Sequence, residues 1–387
     1  MSRRVVTLIE RRSRLCRLPR EEFHFLLTEA RPIVEVVPAA ERGWYQLTAR
    51  GWVGFFDSPS CRYVLQPKLP WPNFLWLLGL RPHEATDQFH QPDSPLIAAV
   101  AEALASRWDD VLRRGLVAGY REAESQSRFL RGKLRLAEQL REAATAAFPE
   151  YFHVTEPILD LDTAWHRIPK AAASQLLRSG AVPPAIRPRL QAIVQVLASV
   201  TEASPTEADF AAALAEPRAE QYRELLELCR VIVQGFPTAS VLPRSSLAAF
   251  LIDLGRVFEQ YLIRSLRQEL APYPGWEVGS QGAFELGPTV LRPDIVIRRA
   301  GSAWAVLDAK WKKVAAEASD LHQILAYRTL TGANRVGLVY PGRSDDFAHY
   351  FSPDGRIRVS LYRLRVVGRE EQLERSIRRL ARWVRTD

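Results

Sequence analysis

The residues best suited to chemistry lie near the C-terminus, in the segments Arg-Pro-Asp-Ile-Val-Ile around Asp294 and Val-Leu-Asp-Ala-Lys around Asp308 and Lys310. Both segments read as strands. Residues i and i+2 of a strand share a face, so Asp308 and Lys310 point the same way. A short Ala-Gly-Ser turn joins the two strands, which lets Asp294 meet them on that face. Two carboxylates and an ammonium then converge at one end of a sheet. Phosphodiester hydrolysis uses such a set. Hard oxygen donors hold Mg²⁺, with Mn²⁺ as a substitute, and the ion keeps most of its waters. The lysine orients a water or stabilises charge developing on the phosphate.

The flanking helices extend the set. Glu259 follows Phe258 beside an apolar stripe and is a candidate third acidic ligand with Asp294 and Asp308. Asp320, Gln323 and Tyr327 are spaced by three and four and share one helix face. Gln323 and Tyr327 are placed to orient the lysine or to contact a DNA backbone. Each feature has an ordinary explanation when taken alone. An Asp-x-Lys strand is often a surface ion pair, Pro-Asp is often a turn, and a glutamate beside an apolar stripe usually faces solvent. Their order along one stretch of chain is what favours a nuclease centre.

Elements to position these groups are legible as an α+β, multidomain chain. Residues 1–93 read as a β-rich domain, with runs at Arg4–Ile9, 33–37, 45–48, 52–56 and 63–65 separated by Pro and Gly breaks. Residues 94–245 read as a helical middle region. It opens at Ser94-Pro95, and Ile97, Val100, Leu104, Trp108 and Leu112 repeat at helical spacing. Residues 246–387 read as an α/β domain with a mixed sheet. An amphipathic helix over 246–270 leads it, and a terminal helix closes it with Leu373, Ile377, Leu380 and Val384 inward and an arginine face outward.

The chain has 387 residues, a formal net charge of +9, and only six lysines among its 53 Lys and Arg residues. Three of those lysines fall at 310, 312 and 313. The basic excess suits a polyanionic partner, most simply nucleic acid. Lys312, Lys313 and Arg375, Arg378, Arg379, Arg382 and Arg385 are expected to follow phosphates. Trp304 reads as core and Trp311 as a DNA contact. No apolar run is long enough to span a bilayer and no secretory signal is evident, so a cytoplasmic protein is expected. The three scattered cysteines form no metal knuckle, and the histidines make no zinc motif. No phosphate loop or serine-nucleophile elbow is present. Any nucleotide-driven motor must therefore be another chain.

The order of Pro293-Asp294, Asp308-Ala309-Lys310 and Gln323-x-x-x-Tyr327 resembles the PD-(D/E)xK nuclease superfamily, and its RecB-like branch in the last element. Residues 64–78, 131–141 and the segment around His166 resemble parts of the McrC family, although His166 stands where that family usually has Asn. The resemblance implies a PD-(D/E)xK domain over 246–387, double-stranded DNA as the partner, and its Mg²⁺-dependent cleavage. It further implies an N-terminal part that docks on a McrB-like AAA+ GTPase ring, stimulates GTP hydrolysis, and leaves DNA-modification reading to that partner. A catalytically inactive DNA-binding adaptor and a stand-alone RecB-like repair nuclease are the competing expectations.

Overall fold

The computed structural model describes residues 4–79, 95–143, 151–235, 249–280, 284–286, 289–312, 317–351 and 358–386. The chain forms two compact units. One joins residues 1–95 with 234–387, and the other is 96–233. The first and third of the expected regions thus share a unit. The linker expected over 81–95 lies almost wholly outside the described residues, and the Pro95 helix start is present.

Four strands form the first sheet of the larger unit, in the order Arg4–Ile9, Cys61–Gln66, Trp52–Asp57 and Ala249–Asp253. Alternation in the first strand turns Val6 and Leu8 inward and leaves Val5 exposed, as a half-buried strand requires. Beside it lie the antiparallel strands Ser13–Arg17, Trp44–Ala49 and Val34–Pro38. The helix Arg20–Thr28 adds Phe25 and Leu26 to a core shared with Val6, Leu8, Phe56, Tyr63 and Leu251. Fully burying each such side chain contributes about 1.5–3 kcal/mol.

Leu251 marks a correction. The apolar stretch expected to begin a helix at 246 is instead a strand from Ala249 to Asp253, paired antiparallel with Trp52–Asp57. Its run of Phe250, Leu251 and Ile252 is buried on both faces, a pattern that suits a sheet interior as well as a helix. Gly54 permits the pairing, because a Cβ there would stand 2.0 Å from the Phe250 carbonyl oxygen. The helix proper is Leu254–Leu270, and Asp253 caps it by accepting from the Gly255 N–H at 2.8 Å.

That helix leads into a six-stranded mixed sheet, ordered Trp276–Ser280, Ile295–Arg299, Ser302–Ala309, Arg335–Gly342, Arg358–Arg365 and Asp346–Phe351. The first three strands pair antiparallel. Ser302–Ala309, Arg335–Gly342 and Arg358–Arg365 run parallel, and the edge strand is antiparallel again. The helix Ala318–Thr331 contributes Ile324 and Tyr327 to the core on Val306, Val336, Leu338 and Tyr340. The terminal helix Glu370–Arg385 buries Leu373, Ile377, Leu380 and Val384, as its period predicts.

The smaller unit is not purely helical. Between helices Pro95–Arg114 and Ala164–Arg178 it holds an antiparallel sheet of Gly119–Ser127, Phe152–Asp160 and Lys133–Leu134. The first of these strands, GYREAESQS, is almost entirely polar and mostly exposed, so it carries no hydrophobic alternation to announce it. His166 is fully buried here. Its Nε2 lies 2.9 Å from the Tyr222 hydroxyl and its Nδ1 2.7 Å from the Leu161 carbonyl, and burial lowers its pKa. Among the described residues of the chain, no helix is long and apolar enough to cross a membrane.

Candidate functional site

The strand Ser302–Ala309 is the central support. Asp308 is near its end and 1% exposed. Lys310 follows it, and its N–H donates to the Val339 carbonyl at 2.9 Å, extending the parallel pairing by one bond. The Lys310 Nζ returns to within 2.7 Å of Asp308 Oδ2, as the i, i+2 spacing predicts.

Asp294 comes from the neighbouring strand. Ile295 pairs with Leu307, so Asp294 falls beside Asp308, and its Oδ2 accepts from the Ala309 N–H at 2.8 Å. Burial raises the Asp294 pKa and the Asp308 carboxylate raises it further, up to about 7. Burial also raises Asp308, against the pull of Lys310. Two acids forced together out of water disfavour a second negative charge on the pair.

The helix Ala318–Thr331 closes the site. Lys310 Nζ donates to Gln323 Oε1 at 2.8 Å, Gln323 Nε2 donates to the Tyr327 hydroxyl at 2.8 Å, and that hydroxyl donates to the Arg292 carbonyl at 3.1 Å. The chain of bonds begins at the lysine and ends two residues before Asp294. Tyr327 is 2% exposed, and its pKa is pushed up to about 12 by burial and by the charge of Asp308. It stays a protonated donor.

Glu259 is buried on Leu254–Leu270, a helix packed against the Asp308 strand. Among the described residues no group of three or more His, Cys, Asp or Glu is arranged to hold a metal ion, so the expected third ligand, Glu259, is not gathered with Asp294 and Asp308. The donor set is a pair of carboxylates. That pair fits Mg²⁺, which takes one or two carboxylates and keeps several waters. The raised Asp294 pKa adds to the fit, because a divalent cation is the counterion that lets both acids ionise.

Asp320 is the residue whose part was not drawn from sequence. It receives Lys312 Nζ at 2.8 Å, stands 3.9 Å from Lys310 Nζ, and accepts from the Tyr340 hydroxyl at 3.3 Å. Its shared helix face with Gln323 is the signal that could have found it. Tyr340 sits in an apolar strand and has no such signal.

The expected DNA contacts are divided by the structure. Lys312 is held by Asp320 and by Glu317 at 2.9 Å, and so faces carboxylates. Lys313 lies outside the described residues. Arg375, Arg378, Arg379 and Arg382 are exposed on the terminal helix. Arg378 lies 3.1 Å from Glu374, while Arg385 stacks its guanidinium 3.6 Å over the Tyr273 ring. Arg379 lies 3.5 Å from Asp345, beyond the Gly342 end of the strand next to Lys310. The last turn, with Arg382, lies by the opposite strand ends, because Trp304 Nε1 donates to the Val384 carbonyl and Arg335 to the Trp383 carbonyl. Trp304 and Asp308 are four residues apart, about 13 Å along a strand. Trp311 is 6% exposed and donates its indole N–H to Glu10 at 2.9 Å. It is a packed residue, contrary to the expected DNA contact, because its indole is committed to Glu10 and its ring packs against Phe258. His322 is exposed on the helix.

An acid pair and a relayed lysine at the end of a mixed sheet define the class of site. A family described as the McrBC 5-methylcytosine restriction system component matches residues 73–341, more than half of the chain. The chain belongs to that McrBC family. Its fold is similar to a chain of a refined half-complex from a tetradecameric assembly of Thermococcus gammatolerans McrB AAA+ hexamers with bound McrC. The identity is 17%, the match covers 98% of this chain and 100% of that one, and the TM-score is 0.50. A chain of the Thermococcus gammatolerans McrBC complex aligns over 70% of this chain and 89% of its own length, at 19% identity and a TM-score of 0.45. No curated protein matches.

Proposed function

We propose that this chain is the Mg²⁺-dependent DNA endonuclease subunit of a McrBC-like restriction assembly, built on a PD-(D/E)xK domain and working with a McrB-like AAA+ GTPase ring. One observation carries the reading: Asp294, Asp308 and Lys310 converge, with Lys310 held by Gln323 and Gln323 in turn by Tyr327. Family membership supports the restriction setting, and the similar chain solved with McrB AAA+ hexamers supports the ring partner.

Asp294 and Asp308 would hold the metal, and Glu259 would act from the adjoining helix. Bound Mg²⁺ supplies Lewis acidity toward a phosphoryl oxygen and a more acidic water. Lys310 offers its ammonium to the charge that develops on the phosphate. Gln323 aims the lysine, and Tyr327 fixes the Gln323 carboxamide. Exposed Arg375 and Arg379 would track the duplex backbone.

The test pairs the chain with a McrB-like ring, GTP, Mg²⁺ and methylated duplex DNA. Cleavage by the wild type, lost in Asp308→Asn and in Lys310→Ala with GTP hydrolysis retained, is the expected result. GTP hydrolysis stimulated without any cleavage would sink the nuclease reading and leave an adaptor.

A further inference from the structure

Trp311 directly follows the site lysine and is held by residues 300 positions away in sequence. Its indole N–H donates to Glu10 Oε1 at 2.9 Å. The Arg11 guanidinium donates to its carbonyl oxygen. Lys68 Nζ lies 5.3 Å from its ring centroid and 3.6 Å from Glu10 Oε1. Phe258, beside Glu259, packs edge-on against the ring at 5.5 Å.

Glu10 is fully buried at the end of the strand Arg4–Ile9. A buried carboxylate is costly unless its donors compensate it, so its contacts resist displacement. Arg11 holds a left-handed backbone, φ 55°, which is costly for a residue with a Cβ and aims its side chain at Trp311. At the other end, the Lys312 N–H donates to the Lys310 carbonyl at 2.8 Å. Trp311 is thus the centre of a three-residue turn whose first member is the site lysine and whose last is bound to Asp320.

We infer that Glu10 is a positioning residue for Lys310. Through the Trp311 indole it fixes the turn that aims the lysine at Asp308 and Gln323, and it ties that aim to the N-terminal sheet. The inference rests on the proposed nuclease reading and deepens it. A displacement of the Arg4–Ile9 strand would reach Lys310 through one hydrogen bond. The N-terminal sheet then controls whether the lysine is in place.

Glu10→Ala and Trp311→Phe remove the same bond from opposite sides, and Glu10→Gln keeps the acceptor. In the reconstituted complex, kcat for cleavage is expected to fall about 10- to 100-fold in each of the first two, with KM for DNA unchanged. The double variant should be no worse than either single, and Glu10→Gln should restore most of the rate. Additive losses, or unchanged kcat in Trp311→Phe, would overturn the inference.

A second readout does not use cleavage. With only six lysines, ¹³C-methylated lysine signals can be assigned, Lys310 by Lys310→Arg. The Lys310 signal should move in Trp311→Phe and return towards its wild-type position in Glu10→Gln. An unmoved signal refutes the positioning role. Movement without Asp308-dependent cleavage in the wild type would refute the nuclease reading alone.

Discussion

Gln323 receives Lys310 through its amide oxygen at 2.8 Å, while its amide nitrogen is committed to Tyr327. Flipping the carboxamide would present a donor to an ammonium, so Tyr327 decides which face the lysine meets. Gln323→Leu should lower kcat for DNA cleavage about 10- to 100-fold with DNA affinity retained. Tyr327→Phe should have a smaller effect in the same direction. Single-turnover cleavage alongside duplex binding separates the two quantities, and equal losses in both would contradict a positioning role.

Asp294 gives a stability prediction with a definite sign. Its carboxyl is raised to about 7 in the folded chain, against about 3.9 when unfolded. The folded state therefore holds more protons between those values, and stability falls as pH rises through that window. Asp294→Asn removes the penalty. Without divalent cation, its melting temperature should match the wild type near pH 4 and exceed it at pH 8. Parallel curves across the range would count against the acid pair.

The same proton governs metal binding. A cation that needs both carboxylates must displace it, so affinity should rise with pH up to about 7 and then level. Calorimetry with Mn²⁺ in buffers of different ionisation enthalpy should report proton release at pH 6 and little at pH 8. Asp308→Asn should abolish the heat. Binding that persists in that variant would place the metal elsewhere.

Phosphate contacts are expected near Arg375 and Arg379, and not at Arg382, which lies by the far strand ends. Each lost contact should flatten the slope of log K against log salt by about 0.9. Arg375→Ala with Arg379→Ala should show that change, and Arg382→Ala should leave the slope as it is. Measuring duplex affinity over a salt series distinguishes the three.

Much of the fold was legible because its signals are local. The strand Arg4–Ile9 alternates, the terminal helix repeats its apolar residues at helical spacing, and Asp308 and Lys310 share a face two residues apart. The sheet of Gly119–Ser127 was not legible, since a polar, mostly exposed strand carries no hydrophobic period. Ala249–Asp253 reads as helix in the sequence because its apolar run, Ala249 to Ile252, fits strand and helix equally.

Sequence order alone brings the groups of the candidate site together: two acids, a lysine, a glutamine and a tyrosine meet at one sheet end. Short-range spacing and strand pairing suffice for that. Only the tertiary structure decided what each charge faces. Lys312 turned to Asp320, Arg382 to the far strand ends, and Trp311 to Glu10. Those partners are chosen by the packing of distant segments, where a buried donor must find an acceptor wherever the fold supplies one. No local pattern records that choice.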